Sequence, residues 1–190
     1  GSWCVAWRTS PWTPPDRFSR MPRELLILRH AKSDWDSGTS SDFERPLAKR
    51  GRKDAPRVGE WLYREGMIPA LIVSSPAQRA RETTLKVCKC LDVSKKEIVW
   101  DADVYDADLQ ALRDVLSRVP TSAQLVLLVG HNPGLEDLLR HLAGADIDEP
   151  DDGKLLPTAA VARLEMPDDW SRLDYGCAGL VGIVRPKQLK

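Results

Sequence analysis

The chain has 190 residues, enough for one well-buried core and few for two full domains. Lysine plus arginine and aspartate plus glutamate both number 28, so the formal charge is zero and no global field draws the protein to nucleic acid or to an anionic membrane. The cysteines Cys4, Cys88, Cys90 and Cys177 form neither a Cys-x-x-Cys pair nor a zinc spacing, and no run approaches the roughly twenty apolar residues of a membrane helix. A soluble, cytoplasmic protein with reduced thiols and no metal or other cofactor is expected, and any anion site in it has to be local.

Residues 1–20 carry Trp3, Trp7 and Trp12 among prolines, without hydrophobic periodicity and without the apolar run of a secretory signal. They read as an N-terminal extension or expression remnant, and Met21 reads as the start of a single domain over 21–190. Leu25-Leu26-Ile27-Leu28 is a continuous aliphatic run, as expected of a strand covered on both faces, and it ends in Arg29-His30. The polar stretch from Ala31 to Asp42 is rich in turn formers and reads as a loop over the strand ends.

From Pro46 to Glu65 the spacing of Leu47, Gly51, Ala55, Val58 and Leu62 predicts a helix stopped by Gly66. Pro56 either kinks this helix or sits in its first turn behind Asp54 as N-cap. A short buried strand over 69–74 follows. Next comes a helix with Ser75 as cap and Pro76 at its first position, which puts Arg79 about one turn in. A cation so near a helix N-terminus is disfavoured by the helix dipole unless an anion is shared.

Residues 97–100 form a third strand, and a helix from about Ala107 to Arg118 buries Leu109, Leu112, Val115 and Leu116. Leu125 to Gly130 repeats the pattern of the first strand and ends in His131-Asn132-Pro133-Gly134. A short helix to Leu142 is capped by Gly144, and two further strands lie over 158–166 and 179–185. The acidic stretch 146–153 lacks the ligand register of a calcium loop and reads as solvated.

The chain holds three histidines, and His30 and His131 each follow one of the two most strand-like runs. Ligands of open α/β sheets bind beyond the carboxyl ends of the strands, so Arg29, His30 and His131 face a site there, with Arg79 at the start of a helix. Guanidinium forks match phosphate oxygens, and a neutral imidazole can attack phosphorus and divide one transfer into two. Fixed cations around a loose, charge-spread transition state can do much of the catalysis without metal. Each element alone also has a bland reading, as a cap, a turn or a solvated charge.

Leu28-Arg29-His30, Ser74-Ser75-Pro76-x-x-Arg79-Ala80-Arg81-x-Thr83 and Gly130-His131-Asn132-Pro133, in that order and each after a strand, resemble the histidine phosphatase (phosphoglycerate mutase-like) superfamily. The short chain, Arg29-His30-Ala31-Lys32-Ser33 and Val181 to Lys187 look like its SixA-type phosphohistidine phosphatase branch. The resemblance implies a three-layer α/β/α sandwich with a mostly parallel central sheet. It implies His30 as the phosphorylated nucleophile, Arg29 and Arg79 as phosphate-binding groups, and His131 as stabiliser of the transferring group. In many relatives a glutamate after the third strand protonates the leaving group, and Asp106 is the nearest match here, although it reads equally as a helix N-cap.

The function expected is hydrolysis of phosphohistidine on a protein such as a phosphotransfer domain in signal transduction. The alternatives are a small-molecule phosphomonoesterase or mutase of the same superfamily, and a non-catalytic phosphate-binding protein. Lys32 either contacts phosphate or lines the loop, and His141 sits on its helix without a role.

Overall fold

The computed structural model describes residues 22–145 and 147–189. The readings made on residues 1–20, Met21 and Cys4 lie outside the described residues. Six strands form one sheet in the order β3-β2-β4-β1-β5-β6. They are β1 (Arg23–Arg29), β2 (Leu71–Ser74), β3 (Ile98–Trp100), β4 (Leu125–Gly130), β5 (Val161–Met166) and β6 (Gly179–Val184). The first four run parallel, while β5 pairs antiparallel with β1 and β6 antiparallel with β5.

Leu25 to Leu28 of β1 and Val126 to Val129 of β4 have no or almost no solvent exposure, because helices cover both faces of the sheet. Leu26 and Leu28 pack with Ala55, Val58 and Leu62 of α1 (Lys49–Arg64) and Val87 of α2 (Gln78–Leu91). Leu25 and Ile27 pack with Leu112 and Leu116 of α3 (Leu109–Ser117) and Leu138 of α4 (Gly134–Ala143). The period of two along the strand thus feeds two separate cores. Each buried leucine contributes about 1.5–3 kcal/mol. The expected three-layer α/β/α sandwich is the observed architecture.

Three local readings are corrected. Helix α1 runs unbroken through Pro56, so Asp54 is not its N-cap; it is a buried carboxylate that accepts from Arg50 and Arg57 within the helix. Helix α2 begins at Gln78 with Ala77 as its flanking residue, so Ser75 lies outside the cap position; its hydroxyl accepts from the Ala77 N–H at 3.2 Å and not from a helical N–H. Arg79 is therefore the second helical residue and not one turn in. At α3 the capping carboxylate is Asp108, which accepts from the Ala111 N–H at 2.8 Å, and not Asp106. The stops hold: Gly66 takes φ +69° just past α1, and Gly144 caps α4.

Candidate active site

Strand β4 lies between β1 and β2, so the carboxyl ends of these three strands open side by side. Arg29 pairs with Gly130 in register, the His30 N–H donates to the Gly130 carbonyl at 3.1 Å, and the Ser75 N–H donates to the Val129 carbonyl at 3.0 Å. Parallel register alone thus brings His30, His131 and Ser75 to one edge, although up to 101 residues separate them in the chain. The two imidazole centroids are 5.1 Å apart. They line a cavity of about 320 Å3 together with Arg29, Arg79, Asp42 and Tyr105.

The protonation of His30 is fixed from both sides. Its Nδ1 lies 2.8 Å from the Ala31 carbonyl, which can only accept, so Nδ1 carries the proton. Its Nε2 lies 3.3 Å from Arg79 Nε, which can only donate, so Nε2 carries the lone pair. Burial, with the Ala31 carbonyl acting in opposition and His131, Arg79 and Arg29 adding repulsion, pushes the imidazole down to about 3. His30 is neutral at physiological pH. His131 is pushed down to about 4 by burial and by Arg79. Its Nε2 sits 2.8 Å from Ser75 Oγ, and its Nδ1 is buried without a partner among the described residues.

Arg29 donates to the Leu156 carbonyl at 3.0 Å and keeps a buried, unpartnered Nε. Burial, opposed by Glu136 and reinforced by Arg79, lowers its pKa from the ordinary guanidinium value. The 5% exposed Arg79 uses all three of its nitrogens: Nε on His30, Nη1 on the Asp42 carbonyl at 2.6 Å, and Nη2 on the Asp42 carboxylate at 2.9 Å. The same carboxylate accepts from Arg45 at 2.7 Å and from the Tyr105 hydroxyl at 3.2 Å. Burial raises the Asp42 pKa, but hydrogen bonds from Arg45 and the charge of Arg79 outweigh it, and the net shift is downward. Arg45 in turn stacks on Trp35, 3.6 Å from the ring centroid, on the lip of the cavity.

All four residues expected to converge, Arg29, His30, Arg79 and His131, border this one cavity, and Asp106 is on its exposed rim with φ +52°. Lys32 lines the same rim. His141 is elsewhere, on α4, with Nε2 2.8 Å from the Leu173 carbonyl. Sequence reasoning missed Asp42, Arg45, Tyr105 and the contact of Ser75 with His131. It also missed Thr83, whose hydroxyl accepts from the Ala31 N–H at 3.0 Å and donates to the Arg79 carbonyl at 2.7 Å, tying the residue after His30 to the arginine. Only the reading of 31–42 as a loop over the strand ends offered a signal for the first of these. Among the described residues no group of three or more His, Cys, Asp or Glu side chains could hold a metal ion, and no helix is long and apolar enough to cross a membrane.

The family model for the histidine phosphatase superfamily (branch 1) matches residues 25–109. An uncharacterized protein of Mycobacterium tuberculosis (strain ATCC 25618 / H37Rv) is 31% identical over 166 residues, which are 84% of this chain and 100% of that one. The phosphohistidine phosphatase SixA of Escherichia coli (strain K12) is 27% identical over 146 residues, 68% of this chain and 89% of that one. The crystal structure of a protein assigned as phosphohistidine phosphatase SixA of Agrobacterium tumefaciens superposes with a TM-score of 0.74 at 28% identity, covering 87% of this chain and 99% of that chain.

Proposed function

The chain belongs to the histidine phosphatase superfamily, and on that premise we propose that it hydrolyses phosphohistidine on a protein through a phosphorylated His30. The observation that carries this reading is the pair of one-way hydrogen bonds at His30, which leave a neutral Nε2 lone pair beside Arg79. Nε2 attacks phosphorus as the P–N bond of the substrate breaks, and the departing imidazole leaves neutral, already protonated on its other nitrogen. Water then attacks phosphorus on His30, the P–N bond breaks so that Nε2 regains its lone pair, and the protons of the water leave on the product as dihydrogen phosphate. Arg29 and Arg79 hold phosphoryl oxygens, Arg79 by turning its Nε–H from His30 Nε2 to the phosphoryl group, which frees the lone pair for attack, and His131 supports the equatorial charge. The buried, unpartnered Arg29 Nε suits an incoming anion, as does His131 Nδ1 in the tautomer whose Nε2 accepts from the Ser75 hydroxyl, since polar groups buried without partners cost about 1–3 kcal/mol each.

Phosphohistidine is favoured over an alkyl ester because an ester needs a proton delivered to its leaving oxygen. The available acid, Asp106, is exposed on the rim. The cavity, about 320 Å3, is at the small end of ligand pockets. It suits a phosphoryl group and an attached ring, with the rest of a phosphoprotein, such as a phosphotransfer domain, lying outside. Such a partner fits action in the cytoplasm.

The test compares a phosphohistidine peptide, a phosphohistidine protein and a panel of phosphate esters, with wild type and His30→Ala, each with and without chelator. Turnover of the phosphohistidine substrates, acid-labile label on His30 and indifference to chelator are expected. Turnover by His30→Ala, or activity lost to chelator and restored by a divalent cation, overturns the mechanism. A strong preference for an ester transfers the protein to the phosphomonoesterase reading.

A further inference from the structure

The charged side chains that line the cavity are Arg29, Lys32, Arg45 and Arg79 against Asp42 and Asp106. With both histidines neutral, four cations and two carboxylates leave two positive charges, enough for one phosphoryl dianion and nothing more. Whatever is attached to phosphorus then meets a lining of no net charge, in which Asp42 is the carboxylate bonded to Arg79. A single guanidinium bridges from His30 Nε2 on one side to Asp42 Oδ2 on the other, so this carboxylate lies next to the transferring group. Both of its oxygens are paired, Oδ1 with Arg45 and Oδ2 with Arg79 and the Tyr105 hydroxyl. Arg45 reaches Asp42 through Nε and Nη2, donates its Nη1 to Ser33 and has its face over Trp35, so three of its five N–H groups are committed within the protein. The Asp42 side chain is nevertheless 50% exposed at the mouth, and the Tyr105 hydroxyl donates to the same Oδ2 that Arg79 holds.

We propose that Asp42 is a specificity-determining residue: its carboxylate selects substrates whose group beside the phosphoryl is cationic or neutral and rejects those carrying a second anion there. This rests on the phosphoryl-binding reading of the site and narrows it, since a protonated imidazole or a basic peptide flank passes the filter and a phosphorylated carboxylic acid does not. The Asp42 charge, close but partly solvated, is worth about tenfold in affinity between ligands of opposite charge. Lys32, exposed on the same rim, acts in the opposite sense.

The experiment is equilibrium binding by calorimetry, which requires no turnover and so separates this proposal from the catalytic one. Phosphoethanolamine and phosphoglycolate are matched in size and differ in the sign of the distal charge. Wild type is expected to bind phosphoethanolamine about tenfold more tightly, Asp42→Asn to bring the two to near parity, and Lys32→Ala to widen the gap. The ratio of two ligands on one preparation cancels any loss of folded protein, so a structural role of Asp42 alone does not move it. Equal affinities in wild type, a preference for phosphoglycolate, a ratio unchanged in Asp42→Asn, or no binding of either ligand at millimolar concentration overturns the proposal.

Discussion

Gly51 lies in the first turns of α1, where helix propensity taken alone makes Gly→Ala stabilising by about 0.5–1 kcal/mol. The tertiary structure reverses that sign. A Cβ at residue 51 would stand 2.1 Å from the Lys32 carbonyl oxygen and 2.9 Å from its nitrogen, and both are backbone atoms. An ordinary carbon to oxygen contact is about 3.3 Å or more, so the helix and the Lys32 peptide must separate by about 1 Å, beyond what small changes in bond angle absorb. Separation breaks the bond from the Ala48 N–H to the Lys32 carbonyl, 2.9 Å in length, and strains the bridge between Ser33 and Leu47. Adding a lost hydrogen bond to overpacking and subtracting the gain in propensity gives Gly51→Ala a net destabilisation of about 3 kcal/mol, roughly 10 °C in Tm. The shift also reaches the chemistry, because Lys32 adjoins Ala31, whose carbonyl holds the Nδ1 proton of His30.

The control is Gly59→Ala on the same helix. Its Cβ would stand 2.7 Å from Cys90 Cβ and 2.9 Å from the Val87 carbonyl on α2, far along the chain from His30. Denaturant unfolding and phosphohistidine turnover, normalised to folded protein, should show both variants destabilised and only Gly51→Ala reduced in kcat. A Gly51→Ala protein as stable as wild type, or one whose kcat falls no further than that of Gly59→Ala, would falsify the reasoning.

Replacing Arg79 by Lys keeps the charge but loses three directed donors, to His30 Nε2 and twice to Asp42. A fall in kcat/KM of about a hundredfold is expected, and a change under threefold in steady-state kinetics would contradict the assigned geometry. Ser75→Ala removes the hydroxyl beside His131 Nε2, which also accepts from the Ala77 N–H at 3.2 Å. About tenfold in kcat and about 1 kcal/mol of stability should go with it, and unchanged kcat would leave His131 oriented by packing alone. Stability should also depend on pH through the two imidazoles. Unfolded, they bind protons below their ordinary value of 6.5, whereas folded they stay neutral down to about 3 for His30 and about 4 for His131. The unfolded chain therefore holds the extra protons below pH 6.5, and stability is full above that value. It falls with decreasing pH by about 1.4 kcal/mol per unit for each histidine until the folded values are reached. His30→Ala should flatten the slope between pH 6.5 and 5 in equilibrium unfolding, and an identical slope in wild type and variant would show that His30 is protonated within the fold.

The parts of this protein that depend on neighbours in sequence were legible in the sequence. The aliphatic runs at 25–28 and 125–129 suited strands buried on both faces, because a short run without polar alternation has no side to offer water. Arg29, His30 and His131 at their ends, with Arg79 just after β2, therefore announced a site at the carboxyl edge of a parallel sheet. The helix starts were less legible, since Ser75 and Asp54 have the chemistry of caps but are claimed by other partners, Ser75 by His131 and Asp54 by Arg50 and Arg57. What the fold alone decided is how far each charge is shared. Asp42 meets Arg79 and Tyr105 across 37 and 63 residues, and no local pattern encodes a contact at that separation. The protonation of His30 belongs to the same class. Composition put an imidazole at the strand end, but it took burial, a carbonyl on one nitrogen and a guanidinium on the other to make that imidazole neutral and to aim its lone pair.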